Sequence, residues 1–289
     1  MKYAMKPPTT IALAALVIFM SGCLASIRPR ELSPSTSSEA RGRMLLEEAL
    51  QAHGGAHWDE VESITLDMND HWKGVLGWYG CPWPHRNIDL DLALRAGTFD
   101  AIARIKNGDE PGLALGMQAW KTYRRAPGAQ AAEFDEDTDI KFILAALQYF
   151  AEFPVRILKA PLIAYAGPKT VGDKTYEVVY ATWGQFEAHS DNDQYMVYID
   201  PDSHRIEKID FTLREANRFI SSVMHFEEFQ TVGGLAFPFK QSITFDVDDD
   251  PDDYLHRVTV KSVSLNSERI ESFIVDAKLG ASGDFKPTE

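Results

Sequence analysis

Cys81 and His85 stand four residues apart with His71 nearby, a spacing at which a thiolate and an imidazole can share a zinc ion. Zinc requires three or four ligands, and no second pair at matching spacing exists, so the pattern favours an ordinary thiol. His53 and His57 are also four apart, but Gly54 and Gly55 break the helix that would place both on one face. Asp246, Asp248, Asp249, Asp250, Asp252 and Asp253 put six carboxylates into eight residues. Calcium prefers such oxygen ligands, yet the glycine that lets a calcium loop turn back is missing, and a solvated hairpin tip is the simpler reading. No metal or cofactor is expected. The sequence holds no Gly-x-Ser-x-Gly elbow, His-Glu-x-x-His, Walker loop, dinucleotide glycine triplet or Cys-x-x-Cys. A non-enzyme is therefore expected, although isolated Ser, His and Asp side chains can still meet in space, which keeps a hydrolase as an alternative.

The residues best suited to recognition are aromatic. Trp72, Trp78, Tyr79 and Trp83 crowd into the stretch from Asp70 to His85, interleaved with Gly74, Gly77, Gly80, Pro82 and Pro84. Exposed on a loop, such rings bind lipid, glycan or peptide, because each offers a large apolar area with a polar tip. Folded inward, the same rings close the mouth of a core.

Elements able to position these groups follow from the hydrophobic period. Glu39 to His53 carries apolar side chains at helical spacing, with Gly54 and Gly55 as the stop. The period then shortens to two. Ile88, Leu90, Leu92 and Leu94 alternate with polar or small residues, and strands are expected again at Phe99 to Lys106, Gly116 to Arg125, Tyr176 to Trp183, Gln194 to Asp200 and Arg205 to Arg214. Phe219 to Gln230, Leu235 to Val247 and Tyr254 to Leu265 complete the series; Pro238 marks an edge or a bulge. Between the two groups, Asp137 to Tyr149 places Ile140, Ile143, Leu144 and Leu147 on one helical face while Phe142, Ala145, Ala146 and Tyr149 make the other sides apolar, so this helix must be buried. The five acids from Glu133 to Asp139 stand ahead of it, where negative charge favours a helix amino terminus. The order of elements is that of an α+β fold.

The first residues point to a compartment. Lys2 and Lys6 precede an uncharged run from Ile11 to Met20, and Ser21 and Gly22 lead into Cys23, the three-part layout of a secretory signal peptide. That run is too short for the roughly 20 residues of a spanning helix. Met20-Ser21-Gly22-Cys23 resembles a bacterial lipobox, which implies a diacylglyceryl group on the Cys23 thiol and cleavage before it. Leu24 in place of Asp then favours the outer membrane, facing the periplasm. Removal of residues 1–22 leaves 27 Lys and Arg against 43 Asp and Glu, so the charge moves from −14 to −16. No basic patch offsets that acidity, and nucleic acid is excluded as a general partner. The organisation expected is a signal peptide over 1–22, a lipidated start and flexible tether over 23–38, one domain over 39–279 and a disordered tail over 280–289.

Ala52-His53-Gly54-Gly55 followed by Val61 to Leu66, the hairpin Tyr198-Ile199-Asp200-Pro201 with Ile206 to Phe211, and Val232-Gly233-Gly234-Leu235 with Phe237-Pro238 resemble the lipoprotein-localisation (LolA and LolB) carrier and acceptor superfamily. That superfamily also includes the sigma-factor regulator RseB. The resemblance implies an incomplete, strongly curved antiparallel barrel of about 10–11 strands, with helices plugging its open side over a cavity for acyl chains. Leu90, Leu92, Leu94, Phe237, Phe239, Ile243 and Phe245 would line that cavity, with Ile143, Leu144 and Leu147 from the covering helix. A packed core would show the same alternation. The function expected is a membrane-anchored, periplasm-facing lipoprotein that binds lipid or an acylated protein. The alternatives are an envelope interaction or sensor protein using the aromatic loop, and an envelope hydrolase.

Overall fold

Thirteen antiparallel strands form one sheet, and their order decides where the helices must go. The computed structural model describes residues 24–284, so the expected leader and Cys23 lie outside the described residues. Six strands step outward from the middle: β1 (Ser63–Trp72), β2 (Asn87–Arg95), β3 (Ala101–Ile105), β4 (Ala114–Gln118), β5 (Lys121–Arg125) and β6 (Glu133–Asp135). Seven return from the far edge: β7 (Leu162–Val171), β8 (Lys174–Thr182), β9 (Gln194–Ile199), β10 (Ile206–Leu213), β11 (Asn217–Val232), β12 (Leu235–Thr244) and β13 (His256–Leu265). The chain closes on itself where β13 pairs with β1, leaving β6 and β7 as unjoined edges of a sheet that is not a closed barrel. A connection from β6 to β7 must therefore cross the whole sheet. Residues 138–157 make that crossing as two helices.

Helix α1 (Thr36–Ala52) precedes the sheet and packs on β7 and β8. Its cap is reciprocal: Ser35 Oγ accepts from the Ser38 amide at 3.2 Å, and Ser38 Oγ accepts from the Ser35 amide at 2.9 Å. A short helix, α2 (Gly74–Gly80), stands where the sequence reads as a loop. The crossing begins with α3 (Thr138–Ala151), whose first turn is capped by the Asp137 carboxylate accepting from the amides of Asp139 and Ile140. It continues into α4 (Phe153–Ile157), started by Pro154.

The core on the helix side of the sheet comes in two halves. One joins β1 to β4, β12 and β13 through Leu90, Leu92, Leu94, Phe237 and Phe239 to Ile140, Ile143 and Leu144 of α3. The other joins β8 to β11 to Leu45, Leu46 and Ala49 of α1 and Phe153 and Ile157 of α4. Neither half fills the space above the middle of the sheet.

Several expectations are corrected. The thirteen strands exceed the anticipated 10–11 by two or three. Gly116 to Arg125 is two strands, because Ala119 and Trp120 both take positive φ (53° and 61°) and turn the chain in a two-residue hairpin. The buried Asp100 carboxylate accepts from the Ala119 amide and helps hold that turn. Gly167 and Pro168 conceal β7, which tolerates them because it is an edge strand with a bulge between Tyr165 and Gly167. β6 is only three residues long. Residues 24–38, expected as a free tether, lie on the domain: the Ala25 amide donates to Arg218 O, the Ile27 amide to Gln194, and Leu32 is buried. Of the tail expected to be disordered over 280–289, the described residues 280–284 dock as well, with Ser282 buried against Asp100 through its amide (2.8 Å) and hydroxyl (2.6 Å).

Candidate ligand-binding cavity

Strands β10 to β13 form a floor that α3 spans without filling. Between them lies a cavity of about 520 Å³, lined chiefly by Phe142, Ile143, Ala146, Leu147 and Phe150 of α3 and by Phe211, Met224, Ile243 and Val258 of the floor. Its exposed lining residues, Tyr79, Gly80, Thr138, Asp139, Ala216 of the β10–β11 turn and Ile220 of β11, mark the mouth. A second volume of about 450 Å³ lies along the other flank of α3, reaching Phe99, Trp120, Tyr149, Trp183 and Tyr195. The two share Phe142, Ala146, Phe150, Phe211, Leu213 and Glu215, so one stripe of α3 overhangs both. The helix is apolar nearly all round because one side packs into the core and the rest faces these volumes.

The second volume ends in charge. Arg156 is buried, pairs with Glu152 at 2.9 Å and lies 4.0 Å over the Phe99 ring. Burial raises the Glu152 carboxyl above the ordinary carboxylate range, and Arg156 opposes that shift. Asp284 reaches back to Arg156 (3.4 Å) and Lys159 (2.9 Å), so the tail borders this opening. Burial pushes the Tyr149 and Tyr195 hydroxyls upward, as expected of neutral rings in an apolar wall.

The expected lining divides. Ile143, Leu147 and Ile243 border the large cavity. Leu90, Leu92, Leu94, Leu144, Phe237 and Phe239 are packed core instead. Phe245 is corrected outright: β12 ends at Thr244, and the ring is 50% exposed on the acidic turn. The aromatic cluster divides too. Trp72 and Trp83 are buried in the core, whereas Trp78 (47% exposed) and Tyr79 (64%) sit on α2 beside Val75 and Leu76, which are also exposed. Residues missing from the expected lining include Phe142, Ala146, Phe150 and Met224. Their signal was present, since Phe142, Ala146 and Phe150 recur at intervals of four along α3.

The candidate metal ligands are engaged separately. Cys81 Sγ faces the carbonyl of His85 at 3.6 Å, and burial pushes its thiol up to about 11. His85 Nε2 accepts from the Asp109 amide, and His71 Nδ1 is 2.7 Å from the Tyr254 hydroxyl. Among the described residues no group of three or more His, Cys, Asp or Glu is placed to hold a metal ion. On the acidic turn, Asp249 accepts from the amides of Phe245 and Asp246, while Asp252 pairs with Lys240 and Arg257.

No family model and no curated protein matches this sequence. Solved structures do match. A domain classed with outer-membrane lipoprotein-sorting proteins, from Vibrio parahaemolyticus, superposes with a TM-score of 0.51 at 10% identity, over 82% of this chain and 97% of that one. This chain has the fold of that domain. A LolA superfamily protein from Nitrosomonas europaea (TM-score 0.46, 13% identity, 80% of this chain and 96% of that one) and a DUF1329 family protein from Desulfovibrio piger (0.49, 8%, 83% and 98%) are more distant in shape. In this chain, the open side of the sheet is where α3 crosses and where both volumes lie.

Proposed function

We propose that this protein is a lipid-anchored component of a bacterial envelope, facing the periplasm, that binds the acyl chain of a lipid or of an acylated protein between α3 and strands β10 to β13. The observation that carries the reading is the cavity of about 520 Å³ with its largely apolar lining, at the low end of the 300–1,000 Å³ typical of small-molecule sites. The mouth beside Tyr79 and Ile220 admits a chain from solvent or from a carrier. Anchoring through Cys23 rests on the lipobox resemblance of residues 20–23.

Native mass spectrometry of protein released from its own membranes in a mild detergent tests both parts. The expected spectrum shows a diacylglyceryl modification on the fragment beginning at Cys23, and a fraction of intact protein heavier by one lipid. Only bare protein at every detergent concentration would refute acyl binding, and an unmodified Cys23 would refute the anchor. A second reading is favoured by Val75, Leu76, Trp78 and Tyr79, four exposed apolar side chains on one short helix. In that reading α2 docks an envelope protein, and a Trp78→Ala/Tyr79→Ala variant loses a partner that the parent protein recovers from solubilised membranes.

A further inference from the structure

The apolar stripe on the cavity side of the sheet is broken at neighbouring places. On β1, Ile64, Leu66 and Met68 are followed at the next inward position by Asp70; on β13, Val260 and Val258 are followed by His256; on β12, Phe237 and Phe239 are followed by Gln241. The register brings these together, since Val258 lies between Asp70 and Gln241, and His256 between Trp72 and Ile243. His256 Nε2 donates to Asp70 Oδ1 at 3.0 Å, with Asp70 fully buried and His256 only 4% exposed. The Trp72 ring stacks on the imidazole at 4.0 Å and 12°.

This cluster has unused hydrogen-bonding capacity. Among the described residues, Asp70 Oδ2 and Trp72 Nε1 are buried without partners. Trp72, Gln241 and His256 all line the large cavity. Replacing both partners of a buried hydrogen bond by apolar groups of the same shape is nearly neutral, so packing alone gives no reason for these side chains in a stripe of Leu, Met, Val and Phe. An unpartnered buried donor is costly until something accepts from it.

We propose that Trp72, His256 and Gln241, with Asp70 fixing the imidazole, form a polar subsite that binds the carbonyl group of an acyl ester or fatty acid, so that the cavity selects acyl compounds over bare hydrocarbon. The inference rests on the acyl-binding reading above and adds the polar group that the ligand must carry. A carbonyl oxygen accepts from the indole N–H and the Gln241 amide N–H, while the chain beyond it lies along Ile243, Met224 and the stripe of α3. A ligand without an acceptor leaves those donors bare.

The test is competition of palmitic acid, methyl palmitate and heptadecane, delivered from cyclodextrin, against 1-aminoanthracene bound to the full chain. Both carbonyl compounds are expected to displace the probe at concentrations about tenfold or more below heptadecane, the loss anticipated for a donor left unpaired in a dry site. The order of acid and ester identifies the source of the carbonyl. The double variant Asp70→Leu/His256→Phe removes the hydrogen-bonded pair together, and Gln241→Leu leaves that pair intact. In each, the preference is expected to shrink severalfold, while the far-UV circular dichroism and urea midpoint report that the variant is folded. Equal displacement by all three compounds in the parent protein, or an undiminished preference in both variants, overturns the subsite. Failure of all three to displace the probe overturns the acyl cavity itself.

Discussion

Ala146 is the residue at which occupancy of the cavity can be tested with least damage to the fold. Its methyl group lies on the α3 stripe shared by both volumes, half-buried and outside the packed core, so a larger side chain grows into empty space. Ala146→Trp places an indole where the two volumes meet. If that ring takes the room of about four methylenes, the loss is about 3 kcal/mol at ~0.8 kcal/mol per methylene, or about 200-fold in affinity for a saturated chain. Trp keeps reasonable helix propensity and adds apolar contact with Phe211 and Leu213, so the urea midpoint of ligand-free protein should hold or rise. Titration of a fluorescent fatty acid into parent and variant protein measures the difference. An unchanged Kd in a variant of unchanged stability would refute the placement of the chain beneath α3, and with it the assignment of the floor strands.

Three further outcomes follow from burial. The His53 imidazole sits in the core, with Nδ1 donating to Ala236 O at 3.3 Å and Nε2 accepting from the Ile206 amide at 3.0 Å, and burial lowers it from 6.5 to about 4. Because the folded value lies below the unfolded one, its contribution is complete above pH 6.5 and is lost as pH falls towards 4; that contribution is about 3 kcal/mol at ~1.4 kcal/mol per unit, seen as a falling urea midpoint that His53→Gln flattens. Gly116 lies under the Tyr123 ring, where an added Cβ would stand 2.2–2.7 Å from ring and hydroxyl atoms, so Gly116→Ala should cost about 1–3 kcal/mol by chemical denaturation. Truncation after Leu279 removes Ser282 from the buried Asp100 carboxylate and should destabilise by about 2–3 kcal/mol, whereas a tail that played no part would be dispensable.

The alternation of apolar residues made most of the sheet legible before any coordinates. Ile88 to Leu94 and Leu235 to Thr244 are strands because period two puts one face into a core, and Asp137 to Tyr149 is a helix because no strand tolerates that spacing. What escaped was set by tertiary context. β7 carries Gly and Pro that only an edge accepts, and the turn at Ala119 and Trp120 uses residues that do not announce positive φ but are held by Asp100 and Ser282. The cavity escaped for another reason. Leu90 and Ile243 obey the same pattern, yet one is packed and the other borders a void, because alternation reports which face is inward and not how far the covering layer stands off.

That distance is fixed by connectivity. A sheet that runs out from β1 to β6 and back from β7 to β13 has its free edges as far apart as the strand count allows, and only residues 138–157 are available to bridge them. α1 and α4 cover the β7 side and α3 covers β3 to β5, which leaves β10 to β13 as the part of the inward face that borders the cavity. A globular core would answer with larger side chains. Here these strands instead carry His256, Gln241 and the small Ser222 facing the gap, while α3 offers Ala146 where a Leu would close it. Sequence and topology therefore agree in keeping that space open, which is the pattern expected when the missing layer is a ligand rather than a helix.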